Sequence, residues 1–275
     1  MKIISWNIAQ RTEAWYSLLE SDADLALLQE ASRPPSDLPK EIEFDDSPWE
    51  TGGKGINRPW RAVVVKLSNR VNIEWLKSKS VEDAASGELA VSRLGSLAVA
   101  KVNALNPDLD FYVASIYSPW ERPLDEIGSR RIYADASAHR ILSDLSVLIG
   151  RQKNHRIIAA GDLNILKGYG EHGSAYWAER YNSVFERANA IGLEYIGPMA
   201  PNGRQATPWP KELPLTSKNV PTYYNSKQNP LTATRQLDFV FASKSISDKV
   251  KVVARNDPDT WGPSDHCRLE IEVQL

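Results

Sequence analysis

The sequence predicts an α/β fold in which two β-sheets pack together and helices lie outside them. Short apolar runs bounded by turn residues recur from end to end, which is typical of a chain with many strands. Several of these runs are continuously apolar rather than alternating, which indicates strands that are covered on both faces. Only three stretches of helical periodicity lie between them. A pair of sheets with helices outside accounts for all three observations.

Nine apolar runs are predicted to be strands. In chain order they are KIISWNI, DLALLQE, RAVVVKL, SLAVAKVNA, DFYVASIY, RIIAAGDLNI, RQLDFVFAS, KVVAR and CRLEIEVQL. The apolar periodicity predicts helices around residues 14–19, 132–149 and 175–191, the last of them closed by Gly192. Two segments rich in Pro, Gly and Asn, SPWETGGKGINRPW and GPMAPNGRQATPWPKELPLTSKNVP, are predicted to be long loops, which are usually functional or disordered.

Composition indicates an ordinary globular protein. Of 275 residues, 42% are hydrophobic and 25% are charged, and no shift in composition marks a boundary, so we expect one domain over residues 1–275. No apolar run approaches the ~18 residues that a membrane span requires. The N-terminal run reaches polar Asn7 too soon for a secretory signal. We therefore expect a soluble, cytoplasmic monomer without a transmembrane segment.

Cysteine content and charge exclude several classes of protein. The single cysteine, Cys267, excludes an internal disulfide and a cysteine zinc cluster, and it fits a reducing cytoplasm. The net charge of −2 and the pI near 6.1 argue against non-specific nucleic-acid binding through a basic face. Any polyanionic substrate must therefore be held locally.

Polar residues end several of the apolar runs. They are Asn7, Glu30, Tyr117, Asp162, Asn164, Asp238, Asp265 and His266. Side chains at strand ends meet at one rim of a layered fold, and carboxylates gathered there repel one another unless a cation or shared protons neutralise them. Oxygen ligands beside a histidine favour Mg²⁺ with a general acid or base nearby. Zinc is disfavoured, because the four histidines and one cysteine lack zinc-site spacing.

The order of these motifs resembles the endonuclease/exonuclease/phosphatase superfamily, which includes exonuclease III-like and DNase I-like enzymes. The matching motifs, from Asn7 to His266, are SWNI, LLQE, SIY, GDLN, RQLDFVF and SDH. Each motif is short, but six in the order of the family are specific in combination. The resemblance implies a four-layer α/β/β/α sandwich of two mixed sheets. It also implies hydrolysis of phosphoesters with Mg²⁺, for which Mn²⁺ could substitute.

The resemblance also implies roles for individual residues. Metal ligands would be Glu30 and Asp265, supported by Asn7. In the catalytic set, Asp162 would activate the water, and Asn164 and His266 would hold the phosphate. Asp238 would orient His266, and Tyr117 would be the tyrosine of the family's site. By the same resemblance, Arg235 and Thr222 would bind the substrate. Independently of it, Trp120 and Trp261 are candidates to stack on the substrate, because they lie beside the motif strands.

Structural explanations compete with several of these roles. Glu30 could be a solvated residue at the end of a strand, and the residues of GDLN could form an Asx turn. Tyr117 could be a strand aromatic whose hydroxyl is hydrogen-bonded. Tryptophans in the loops could stack on bases, but we expect most of them to pack against the domain. These tryptophans are Trp49, Trp60, Trp120, Trp177, Trp209 and Trp261.

The substrate is less well defined than the chemistry. A nuclease or phosphodiesterase that cleaves nucleic acid is favoured. The alternatives are a phosphatase or phospholipase acting on a small molecule or lipid and, less favoured, a non-catalytic binding protein. The motif SIYSPW lacks the asparagine that follows the tyrosine in exonuclease III-like enzymes, which argues against repair of abasic sites.

Overall fold

A computed structural model describes residues 1–52, 57–104, 109–121, 134–150 and 154–274. Its strands are β1 (Lys2–Asn7), β2 (Leu25–Ala31), β3 (Glu43–Phe44), β4 (Arg61–Lys66), β5 (Asn72–Leu76), β6 (Ser78–Ser80), β7 (Leu89–Val91), β8 (Leu97–Asn103), β9 (Phe111–Tyr117), β10 (Ile157–Asp162), β11 (Leu193–Gly197), β12 (Asp238–Ser243), β13 (Val250–Arg255) and β14 (Arg268–Val273). Its α-helices are α1 (Thr12–Leu19), α2 (Ala134–Leu145) and α3 (Ala175–Ala190).

Within these residues the strands form two six-stranded sheets and one small pair. The first sheet has the order β13-β14-β1-β2-β4-β3, and the second has the order β11-β12-β10-β9-β8-β5. Both sheets are mixed, because β1 pairs parallel with β2 and β9 pairs parallel with β10, while their remaining pairs are antiparallel. Strands β6 and β7 form a separate two-stranded ribbon.

Successive side chains of a strand point to opposite faces of its sheet, so the buried apolar residues form three clusters, one between the sheets and one on each outer face. The central cluster combines residues of both sheets, such as Leu27 of β2 and Val113 of β9, so the sheets pack face to face. Helix α1 covers the outer face of the first sheet through Trp15. Helices α2 and α3 cover the outer face of the second sheet, where Tyr181 and Ile141 are buried. The predicted four-layer α/β/β/α sandwich is confirmed.

Local sequence predicted the long elements well. All nine apolar runs form strands, and the three helices lie where the periodicity places them. Residues 132–133 of the second predicted helix and 53–56 of the first predicted loop lie outside the described residues. Five strands, β3, β5, β6, β7 and β11, were not predicted, because they are short or alternate poorly between buried and exposed positions. Across the described ranges, no helix has the length and hydrophobicity needed to cross a membrane.

A buried polar contact joins the two sheets just beneath the rim where the predicted site residues lie. The Nε2 of Gln29 in the first sheet donates to Oγ of Ser115 in the second at 2.9 Å, and that hydroxyl donates to the Leu28 carbonyl at 2.6 Å. Gly161 lies against this contact: a Cβ there would be 1.9 Å from the Ile116 carbonyl oxygen and 2.9 Å from the Gln29 amide carbon. The glycine of the GDLN motif therefore lets the backbone and Gln29 approach closely.

Replacing Gly161 with alanine should destabilise the protein by at least about 3 kcal/mol, because a methyl group cannot fit against backbone that both sheets hold in place. Denaturant unfolding measures the change in the free energy of unfolding. The matched control is Gly150→Ala, where an added Cβ meets nothing within 4 Å. This control should change stability by no more than about 0.5 kcal/mol. Equal stability of the two variants would contradict the close approach.

Candidate active site

The predicted polar residues converge at one edge of the sandwich, and both sheets contribute. The first sheet supplies Asn7, Glu30, Asp265 and His266, and the second supplies Tyr117, Asp162, Asn164 and Asp238. A cleft of about 580 Å³ opens at this edge. Seven predicted site residues line it, namely Glu30, Trp120, Asp162, Asn164, Arg235, Asp265 and His266. The fold thus brings residues from distant parts of the chain to one cavity.

Asp238 and His266 form a buried hydrogen-bonded pair across the two sheets. The Oδ2 of Asp238 lies 2.8 Å from Nδ1 of His266, and both residues are buried. Burial opposes a charge on the imidazole, but the carboxylates of Asp238 and Asp162 outweigh it and raise the pKa of His266 to about 10. His266 is therefore an imidazolium near neutral pH, and its Nδ1–H donates to Asp238.

Asp162 is the most constrained carboxylate of the site. Its Oδ1 accepts from the backbone N–H of Asn164 at 2.8 Å, and its Oδ2 accepts from Nδ2 of Asn7 at 2.9 Å. Burial, together with the charges of Asp238 and Glu30, raises the pKa of Asp162 to about 8, although His266 acts in the opposite direction. The Nε2 of His266 lies 3.9 Å from Oδ2 of Asp162. This separation is longer than a hydrogen bond, so both groups remain available to a molecule in the cleft.

The residues of GDLN do form the local turn that was weighed against a functional role. Asp162 caps the backbone two residues on, and Asn164 has a left-handed φ of 52°. The Nδ2 of Asn164 donates to the Ser118 carbonyl at 3.2 Å and to Oδ2 of Asp162 at 3.1 Å. The turn and the functional role are compatible, because the turn brings both side chains to the cleft.

Glu30 is held in a strained conformation that differs from the rest of its strand. Its φ is 45°, and the pairing of β2 with β4 shifts register between Leu28 and Ala31. Such backbone is uncommon for a residue other than glycine and is often found at functional sites. The Nδ2 of Asn7 donates to Oε1 of Glu30 at 3.1 Å. The bend allows Glu30 to line the cleft while the flanking Gln29 and Ala31 stay buried.

Tyr117 lies beside Glu30 at the end of β9. Burial, the charges of Glu30 and Asp162, and a hydrogen bond to Glu30 raise the pKa of the Tyr117 phenol well above its ordinary value. The hydroxyl therefore stays protonated and acts as a donor to Glu30. This contact corresponds to the hydrogen-bonded strand aromatic that was considered from the sequence.

One group of side chains has the proximity that a metal ion requires. Among the described residues, potential ligand atoms of Asp162, Asp238 and His266 all lie within 4.8 Å of one another. This group differs from the predicted set of Glu30 and Asp265, whose side chains line the same cleft. The amide oxygen of Asn7 accepts from the backbone N–H of Ala9 at 2.9 Å, so in this arrangement Asn7 holds the carboxylates through its nitrogen.

Two predicted substrate contacts are corrected by the structure. Thr222 is fully buried, and its Oγ1 accepts from the backbone N–H groups of Leu237 and Asp238 at 3.0 and 3.1 Å. It supports the start of β12, where Asp238 lies. Trp261 is 1% exposed and packs edge-on against Tyr224. Neither side chain can touch a substrate, because neither reaches the surface of the cleft.

Several residues of the cleft were not predicted. They are Glu171, His172, Trp177, Tyr181, Tyr223 and Leu237, together with the small residues Ala9 and Ala134. Glu171 binds the predicted Arg235 through two contacts of 2.8 and 3.2 Å. Three of them had a signal in the sequence: Tyr223 follows Thr222, Leu237 lies within RQLDFVF, and Trp177 is one of the loop tryptophans considered for stacking. The other side chains follow no local pattern. His172, which belongs to none of the motifs, is exposed at the cleft.

Comparison with known proteins supports the fold. No protein-family model matches the sequence, and no curated protein matches it. Solved structures do match: the Xenopus laevis APE2 catalytic domain has a TM-score of 0.66 and 18% identity, covering 99% of this chain and 91% of that one. The Leishmania major AP endonuclease LMAP has a TM-score of 0.64 and 17% identity, covering 100% and 87% of the two chains.

A third solved structure matches over nearly its whole length. The endonuclease domain of the telomere-specific non-LTR retrotransposon TRAS1 has a TM-score of 0.61 and 14% identity, covering 100% of this chain and 98% of that one. At these identities the similarity establishes the fold. The fold that the resemblance implies is confirmed.

Replacing Asp238 with asparagine should lower the pKa of His266 by about one unit or more, because a neighbouring carboxylate favours the charged imidazole. NMR titration of the ring resonances of His266 measures this shift. The control is Asp24→Asn, which removes a buried carboxylate paired with Arg70 at the opposite end of β2. That control should leave the titration of His266 unchanged. An unaltered titration in Asp238→Asn would mean that the pair is not an electrostatic unit.

Proposed function

We propose that this protein is a Mg²⁺-dependent phosphoester hydrolase and that its substrate is a phosphodiester of nucleic acid. The observation that carries the proposal is the convergence of Asp162, Asp238 and His266 with Glu30 and Asp265 at one cleft. A phosphodiester is a stable anion, so its hydrolysis requires neutralisation of charge on the phosphate and a positioned water. The cleft offers groups of both kinds.

His266 would neutralise charge on the phosphate. Its Nδ1 is engaged by Asp238, so its Nε2–H is the donor that remains for a non-bridging oxygen. Asn164 would hold a second oxygen through its amide nitrogen, exchanging its present bond to the Ser118 carbonyl for the phosphate while keeping its bond to Asp162. Because Asp238 acts through the imidazole, it would position His266 and stabilise its charge rather than touch the substrate.

Asp162 would activate the attacking water. Its pKa of about 8 lies near neutral pH, where a carboxylate is most effective in accepting a proton from water during the reaction. The hydrogen bonds from Asn7 and Asn164 hold this carboxylate in one orientation. The 3.9 Å between Asp162 and the imidazole of His266 would place water and phosphate side by side.

The metal-binding residues would be Glu30 and Asp265, with Asn7 orienting Glu30. The residues fit such an ion, because the cleft gathers carboxylates whose mutual repulsion raises the pKa of Asp162. Oxygen ligands favour Mg²⁺, with Mn²⁺ as a substitute. When bound, the ion would supply positive charge to the phosphate oxygens. The buried group of Asp162, Asp238 and His266 would not hold the ion, because Nδ1 of His266 is already engaged by Asp238 and Asp162 would act on the water.

Two observations bear on the substrate. The similar solved structures include AP endonucleases and a Neisseria enzyme bound to a DNA hairpin product, which supports nucleic acid. That Neisseria enzyme is described as a 3′ phosphatase, so the second candidate is hydrolysis of a phosphomonoester.

The single-domain, cytoplasmic and monomeric character expected from the sequence stays a prediction.

A hydrolysis screen in Mg²⁺ tests the proposal. We expect activity on DNA or RNA strands and little on phosphoinositides or sphingomyelin. Replacing Asp162 with asparagine should lower turnover by about 10²–10⁴-fold, because the variant cannot accept a proton, while substrate binding is retained or tighter. The matched control is Asp248→Asn, an exposed position beyond the opposite end of β12, which should keep full activity. Activity confined to the lipid substrates would exclude the nucleic-acid assignment, and near-normal turnover in Asp162→Asn would assign water activation elsewhere.

Replacing Glu30 with glutamine should raise the Mg²⁺ concentration needed for half-maximal activity by about tenfold or more, because the variant loses a charged ligand but keeps its shape. The assay is a Mg²⁺ titration of the hydrolysis rate, with Mg²⁺ binding measured separately by calorimetry. Glu272→Gln, at an exposed position near the far end of β14, is the control and should leave the titration unchanged. An unaltered Mg²⁺ requirement in Glu30→Gln would show that Glu30 is not a ligand.

A further inference from the structure

The cleft extends beyond the reactive groups into a wall of large side chains. We call this part the aromatic pocket; its members are Trp120, Trp177, Tyr181, Tyr223 and Leu237. The ring centroid of Tyr223 lies 5.0 Å from that of His266, so the pocket begins directly beside the reactive imidazole. A chemical group attached to the reacting phosphate would therefore lie in this pocket.

Trp120 is the member of the pocket that packing does not explain. It is 59% exposed, whereas the other described tryptophans are buried or half-buried. Because Trp120 is both exposed and part of the cleft lining, its indole offers a flat apolar face on which a ligand ring can stack. Most loop tryptophans were expected to pack against the domain, and Trp120 is an exception that is available for stacking.

A polar pair closes the pocket at its other side. The guanidinium of Arg235 binds the carboxylate of Glu171 at 2.8 and 3.2 Å, and both side chains remain partly exposed in the cleft. Arginine carries five N–H donors, so donors remain after this pairing, and the carboxylate retains acceptor capacity. A donor and an acceptor side by side can pair with the donors and acceptors on the edge of a nucleobase.

The charge of the cleft argues against recognition through the phosphate backbone. Among the described residues that line it are four carboxylates, Glu30, Asp162, Glu171 and Asp265, but a single arginine, Arg235, besides His266 at the reacting phosphate itself. The whole chain carries a net charge of −2. Proteins that hold a duplex by its phosphates use clusters of lysine and arginine, which this cleft lacks among the described residues. Affinity must come from another part of the nucleotide.

We propose, building on the proposed function, that the aromatic pocket binds the base of an unpaired nucleotide next to the reacting phosphate. The base stacks on Trp120 and its neighbours, and its edge faces the pair of Arg235 and Glu171. A base within a duplex is stacked on both faces and paired at its edge, so it cannot enter such a pocket without leaving the helix. The preferred substrate is therefore a single strand, a strand end or an extrahelical nucleotide.

Binding measurements with Asp162→Asn test the proposal without turnover. The probes are fluorescein-labelled strands of equal length: single-stranded DNA, single-stranded RNA, duplex DNA and a deoxyribose-phosphate strand that carries no bases. We expect at least one single strand to bind about tenfold or more tightly than both the duplex and the base-free strand. The salt dependence should be shallow, corresponding to about two phosphate contacts. Equal binding of the base-free strand, or tighter binding of the duplex, would overturn the proposal.

Variants of the pocket locate the effect. Trp120→Ala in the same background should weaken single-strand binding by about tenfold, and Trp120→Phe should restore most of it because stacking is retained. The control is Tyr16→Ala, which truncates an exposed aromatic of α1 outside the cleft and should bind normally. Normal binding by Trp120→Ala, or no rescue by phenylalanine, would contradict base stacking.

This test and the test of the proposed function fail in different ways. If the wild type hydrolyses nucleic acid but shows no preference for strands with bases, the phosphohydrolase assignment stands and the base pocket is wrong. If Asp162→Asn prefers single strands but no phosphoester is hydrolysed by the wild type, the pocket stands and the hydrolase assignment is wrong. In the wild type, Trp120→Ala should raise KM more than it lowers kcat, because stacking contributes equally to the ground and transition states.

Discussion

The hydrogen bond between Asp238 and His266 is the contact on which the site depends. It joins the two sheets at their common edge, since Asp238 begins β12 and His266 lies two residues before the start of β14. Both residues are buried, where an unpaired charge would be costly, so each requires the other. Because the sheets meet here, the carboxylates of Glu30 and Asp265 from the first sheet come to lie beside Asp162 of the second.

A polar layer below the rim makes this meeting possible. Gln29 and Ser115 bond across the sheets, and Gly161 leaves room for the Gln29 amide. Above that layer, the side-chain amide of Asn7 donates to Glu30 of the first sheet and to Asp162 of the second. One side chain therefore fixes the distance between a carboxylate of each sheet. The apolar core thus ends in an ordered set of hydrogen bonds, and the charged groups are positioned by the same packing that stabilises the sandwich.

The two ends of the cleft differ in composition: one is lined by carboxylates and the other by aromatic side chains. One end is dense in carboxylates, which raise the pKa of Asp162 to about 8 and keep the imidazole of His266 charged. The aromatic pocket beside it offers stacking surface rather than positive charge. The proposed contact with a base follows from this difference, because stacking requires an aromatic face and no cluster of basic residues.

The sequence by itself determined the long strands, the helices and the polar residues at the strand ends, because periodicity and strand termini are local properties of the chain. Asp162, Asp238 and His266 could be predicted for this reason. Only the tertiary structure decided that Thr222 and Trp261 are buried, and that Glu171, Tyr223 and Trp177 reach the cleft. Burial and convergence depend on how distant segments pack, and no spacing along the chain encodes the distance between Arg235 and Glu171.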